Sequence, residues 1–164
     1  MYKKYLLLVL FIFAVSTIGC VCTEKTCSTS SPNGFPYEYQ DWTSTYSKVV
    51  ADKNSPFYGY VRVLVSPQAL KAYKNDSQGY KNGDVLILEF SEIEHEGSSP
   101  VKGSPNWIAK MHKDTSATKT GGWVFSGFDS KTNALKKDID PITGCYNCHI
   151  VKKNRDYVFS SYDN

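Results

Sequence analysis

Residues Cys145-Tyr146-Asn147-Cys148-His149 hold the densest chemistry of the chain: two thiols two residues apart, followed at once by an imidazole. That order is the attachment motif of a c-type haem. One helical turn brings both sulfurs to the two vinyl groups on one porphyrin edge, and the adjacent imidazole swings under the ring to the iron. Two other chemistries use the same residue types. A structural zinc needs a fourth ligand and usually a second cysteine pair. The remaining histidines, His95 and His112, have no metal-ligand spacing to each other or to the motif. A redox dithiol is expected at the start of a helix after an early strand, whereas this motif comes near the C-terminus. The expected cofactor is therefore one haem c, bound through Cys145 and Cys148 with His149 as proximal iron ligand.

The elements that must position such a group are read from apolar periodicity. Tyr39, Trp42, Tyr46 and Val49 recur at spacings of three and four, which predicts a short helix within 37–50. Residues 57–65 alternate as a strand. Ser66-Pro67 has the form of a helix start, with Ser66 as N-cap of a helix over 67–74. Residues 84–94 form a long strand with Leu86, Leu88 and Phe90 on the face favoured as core. The Gly/Ser/Pro-rich stretch 95–105 reads as a loop, 106–113 and 122–128 as strands, and 131–138 as a short helix before the motif. Successive strands joined by short connections predict an α+β fold, a mainly antiparallel sheet with a few short helices and the haem near the C-terminus.

Residues 1–19 combine Lys3 and Lys4 with an apolar run and a small residue before Cys20, the pattern of a secretory signal peptide. The run is too short to span a bilayer, which takes roughly 20 residues. Ser16-Thr17-Ile18-Gly19-Cys20 resembles a lipobox, so Cys20 is a candidate lipid anchor, with ordinary cleavage as the alternative. Residues 20–33 are Ser/Thr/Cys-rich and read as a flexible tether; Cys22 and Cys27 are either paired or spacer residues. Residues 34–164 form a single monohaem domain. Export, to the periplasm or the outer face of a membrane, permits disulfides. The formal charge of +3 falls to +1 without Lys3 and Lys4, too near neutral to argue for nucleic acid.

A late haem motif behind a predicted sheet does not suit the small helical electron-transfer cytochromes, and there are too few helical periods for a bundle. The chain resembles the cytochrome P-460 family, including its cytochrome c-prime-beta members, over about 35–160. The landmarks are Tyr39-x-x-Trp42, Val61-Arg62-Val63-Leu64-Val65-Ser66-Pro67, and Asn82-Gly83-Asp84-Val85-Leu86-Ile87-Leu88-Glu89. Gly122-Trp123-Val124-Phe125, the haem motif and Asp156-Tyr157-Val158-Phe159 complete the set. The resemblance implies a homodimer and a five-coordinate haem, with His149 proximal and the distal side open. Hydroxylamine-oxidising members carry a lysine cross-linked to the porphyrin at a position that falls here on Leu88, and residues 85–99 contain no lysine. That favours the c-prime-beta type, a binder of small gases with Leu86, Leu88 and Phe90 as pocket candidates.

Arg62 lies near the place of a distal arginine in some relatives, and one residue of register decides which face it takes. Lys110 and His112 share a strand face as candidate distal proton donors, with a solvated face as the alternative. Met111 is the one methionine after the signal segment able to make a His/Met electron-transfer haem, with core packing as its other role. Three functions follow. The first is binding of nitric oxide or a similar small nitrogen ligand. The second is oxidation of hydroxylamine or nitric oxide, with Glu89, Glu92 or His112 taking protons. The third is electron carriage to a redox partner protein.

Overall fold

The computed structural model describes residues 34–162. The predicted signal segment, the tether and Cys20, Cys22 and Cys27 lie outside the described residues. Five strands form one sheet: β1 (Thr43–Val50), β2 (Gly59–Val65), β3 (Val85–Glu96), β4 (Ser99–Lys113) and β5 (Trp123–Asp129). They lie side by side in chain order, each antiparallel to the next. One short helix, α1 (Leu70–Lys74), fills the connection from β2 to β3. The expected α+β class, a mainly antiparallel sheet with few short helices, is the architecture observed.

Because successive side chains on a strand point to opposite sides, the registers sort the sheet into two faces. Val63, Leu88 and Ala109 stand in one row, Val65, Leu86, Met111 and Phe125 in the next, and Val61, Phe90 and Trp107 in a third, all on the first face. Arg62, Glu89, Ile108 and Phe128, with Leu64, Ile87, Lys110 and Ser126, occupy the second. Each face has its own core. Ala69, Ala72 and Tyr73 from α1 and its approach, with Tyr80, Tyr157 and Val158, close the first. Phe35 and Tyr39 close the second over Leu64, Ile87, Ile108 and Phe128, with Phe35 edge-on to Tyr39 and Phe128 at 5.9 and 5.6 Å. Leu86 and Phe90 are buried as expected, and so are Ile87 and Glu89 on the other side of β3.

Four local expectations give way to tertiary pairing. Within 37–50 only Tyr37–Asp41 is helical, a 3-10 turn, and the rest is β1. The β-branched Thr43, Thr45, Val49 and Val50 suit an edge strand better than a helix, whatever the spacing of the aromatics. The stretch 95–105 is mostly strand. β3 turns at Gly97, which has φ +62°, and β4 is paired with β3 from Ser99 onward. Pro100 and Pro105 are tolerated there because β5 pairs with β4 only from Trp107, leaving that side of β4 without a ladder to interrupt. No helix forms over 131–138. The Asp129 Oδ1 accepts from the backbone N–H of Lys131 and Thr132 at 2.9 and 2.8 Å, and Leu135 bridges back to Phe128. Ser66 does not cap α1: its Oγ accepts from the Val85 N–H at 3.1 Å, tying β2 to the start of β3.

Candidate haem site

The motif lies in one helical run, a π turn over Pro141–Tyr146, an α turn over Asn147–His149 and 3-10 turns over Ile150–Arg155. Asp140 starts it. Its Oδ1 accepts from the Ile142 and Thr143 N–H groups at 2.9 and 2.6 Å and from the Thr143 hydroxyl at 2.9 Å, and Pro141 takes the first helical position. The bonds from Thr143 and Ile142 hold the Asp140 carboxyl below the usual carboxylate range. The run is pressed onto the first face of the sheet through Ile139. A side chain at Gly127 would meet Ile139 Cδ1 at 2.6 Å, so glycine there lets the segment close on β5.

Cys145 is half-buried and Cys148 exposed, and both are free thiols. Burial, then the Asp140 charge, pushes the Cys145 thiol up. Cys145 and Tyr146 pack against the same core as Leu86, Leu88, Met111 and Phe125. His149 sits between two rings, with Phe125 at 5.1 Å and Phe159 edge-on at 5.1 Å. Its Nδ1 is 2.6 Å from the Tyr157 carbonyl oxygen. A carbonyl only accepts, so Nδ1 carries the hydrogen and Nε2 keeps its lone pair for a metal. Burial pushes the imidazole pKa down, and the carbonyl bond opposes that only in part. The ring is thus neutral and oriented, with Nε2 available.

The Tyr157 carbonyl is itself held in place. Asp156 and Tyr157 both adopt left-handed backbone, φ 46° and 66°. The two Asp156 carboxylate oxygens each accept from Lys113 Nζ at 2.8 Å, and Oδ1 also accepts from Trp123 Nε1 at 3.1 Å. The Tyr157 ring lies over Gly121, φ +68°, where any Cβ would collide with it. Lys113 and Trp123 face each other across β4 and β5, with Nζ 4.7 Å from the indole centroid.

Among the described residues no three or more of His, Cys, Asp and Glu converge as a metal site. The motif by itself offers three donors, one short of a tetrahedral zinc set. Two free thiols on one turn, a neutral imidazole with Nε2 spare, and an apolar sheet face beside them fit a porphyrin. The cytochrome P460 family model matches residues 36–160. The chain belongs to the cytochrome P460 family. A comparison with curated proteins gave no match. Membership makes this a haem protein, as the motif predicted.

In this P460 domain the remaining candidates divide by face. Leu86, Leu88 and Phe90 stand on the motif's face, with Met111 beside Leu86. Phe90 stacks on Trp107 at 4.0 Å and 3°, and Phe57 stacks on Phe90 at 6.2 Å. Arg62 and His112 point to the other side of the sheet. Arg62 Nε donates to Glu89 Oε1 at 2.7 Å and its Nη2 to Gln40 Oε1 at 2.6 Å. Lys110, next along from His112 on that face, donates to the Gly34 carbonyl at 2.6 Å. Burial, then the Lys110 charge, pushes His112 down, so it is neutral at pH 7. Sequence reasoning missed the Tyr157 carbonyl and the Lys113–Asp156–Trp123 group. A main-chain acceptor has no residue-type signature. The available signal was an aspartate in a left-handed position, where aspartate is enriched, inside a stretch already singled out at Asp156-Tyr157.

Proposed function

We propose that this chain is an exported monohaem cytochrome that binds nitric oxide or a similarly small neutral nitrogen ligand. Thioethers from Cys145 and Cys148 and the His149 Nε2 would hold the haem. When bound, the haem would supply an iron able to coordinate a small ligand. The observation that carries the reading is the division of the sheet. Arg62, Glu89, Lys110 and His112 are on the second face, and Lys113, a buried charge on the first, has its ammonium on the Asp156 carboxylate. The face bearing the motif offers Val63, Leu86, Leu88, Phe90, Ala109, Met111 and Phe125. Such a wall presents no donor to a bound anion and no base to a substrate, which favours a neutral diatomic over an oxidisable hydroxylamine. Leucine at position 88 supports the same choice. Met111 belongs to the core built around Leu86 and Trp123, which supports packing over iron ligation as its role.

The N-terminal pattern up to Cys20 supports export, with acylation of Cys20 as the anchoring step. The test is spectroscopic. The matured protein should be five-coordinate and high-spin when reduced, and nitric oxide should bind without displacing a protein ligand. A six-coordinate low-spin reduced spectrum would overturn the open site, and a strongly red-shifted reduced Soret band would restore a porphyrin cross-link. Acidic acetone should leave the haem on the protein. Release from the wild type would remove the thioethers from the proposal.

A further inference from the structure

We infer that Lys113, Asp156 and Trp123 form a positioning clamp for the proximal histidine, fixing the Tyr157 carbonyl to which His149 Nδ1–H donates. This rests on the haem reading above and deepens it on the proximal side. Two consecutive non-glycine residues in left-handed backbone are strained and persist only where surrounding contacts over-determine them. Here those contacts are explicit. Lys113 reaches both Asp156 oxygens at 2.8 Å, and Trp123 donates to one of them at 3.1 Å. Lys113 and Trp123 are themselves buried, and Lys113 is fixed at its backbone too, with its N–H on the Asp84 carbonyl at 2.8 Å and its carbonyl accepting from Gly83 at 3.0 Å. A rigid β4–β5 pair thus grips Asp156, and the next carbonyl along the chain is the histidine's acceptor at 2.6 Å.

The clamp also occupies the Asp156 carboxylate. Asp156 spends both oxygens on Lys113 and Trp123, so the histidine meets a neutral carbonyl and not an anion. Partners of that kind orient a metal-bound imidazole and set its basicity.

The experiment uses the mature holoprotein and its Asp156→Asn, Lys113→Met and Lys113→Arg variants. It reads the iron–histidine stretching band of the reduced form by resonance Raman, together with the midpoint potential. Released turns should broaden the band and shift it to lower frequency in both Asp156→Asn and Lys113→Met, with Lys113→Arg restoring the wild-type position. A purely electrostatic role predicts a different pattern. The potential would rise in Asp156→Asn, fall in Lys113→Met, and leave the stretching band in place; that pattern would overturn the clamp. An unshifted band and potential in all three variants would overturn it as well. Should a variant fail to mature, Gly121→Ala displaces the Tyr157 ring from the opposite side with the ion pair intact, and its band should move in the same direction. A six-coordinate wild type would sink the open-site reading alone, since potential shifts of one sign in Asp156→Asn and Lys113→Met would still support the clamp and opposite shifts would still overturn it.

Discussion

Replacing Glu89 by glutamine separates a structural charge from a catalytic one. Its carboxylate is fully buried and accepts from Arg62 Nε at 2.7 Å, Gln40 Nε2 at 2.8 Å and Ser91 Oγ at 3.2 Å, with Lys102 Nζ 3.5 Å away. Burial pushes its pKa up. The Arg62 hydrogen bond and charge, then Lys102 and Gln40, outweigh that, and the carboxyl ends below its ordinary value of 4.5. Removing one member of a buried pair costs about 3–5 kcal/mol. The Arg62 and Lys102 side chains keep 18% and 28% exposure, so water recovers part of their solvation and about 3 kcal/mol is expected. For a domain of this size that lowers Tm by roughly 10 °C.

The pH dependence has a definite sign. A carboxyl whose folded pKa is depressed contributes its full stability above the unfolded value and loses it as pH falls through the folded one. The gap between wild type and Glu89→Gln should therefore be complete at pH 7 and close progressively below 4.5. Thermal melts followed by near-ultraviolet circular dichroism at both ends of that range measure it. Nitric oxide affinity, taken well below the variant's Tm, should be unchanged, because Glu89 faces away from the motif. A Tm within about 2 °C of wild type at pH 7 would refute the buried-pair reasoning. Loss of ligand binding in the folded variant would refute the separation of faces and return Glu89 to the list of proton acceptors.

Two further outcomes follow from the same geometry. Met111→Leu conserves volume and should cost less than about 1.5 kcal/mol while leaving the reduced absorption spectrum as it was; a change of spin state would make Met111 an iron ligand. Gly121→Ala should destabilise the fold by more than the roughly 1–2 kcal/mol of a left-handed alanine, because its Cβ also displaces the Tyr157 ring. Denaturant unfolding measures that cost, and a neutral result would show that the ring can swing clear.

The amino-acid order alone determined whatever a single turn or strand can hold. The spacing of Cys145, Cys148 and His149 needs only local geometry to suggest haem attachment, and the alternation along 57–65 and 84–94 needs only the two-residue period of a strand. Tertiary structure decided everything that depends on a neighbour. Pro100 and Pro105 read as loop residues until the absence of β5 beside them made a strand free to carry them. Ser66 has the form of a helix cap, but Val85 is within its reach and takes the bond. Arg62 and Leu88 stand close in the order of landmarks, yet pairing sends them to opposite sides. Their strands meet as Arg62 with Glu89 and Val63 with Leu88, and one residue of register inverts a face. The acceptor that orients His149 is a main-chain carbonyl, chemically alike at every residue. Only the clamp of Lys113 and Trp123 on Asp156, brought together from separate strands, makes the one at Tyr157 special.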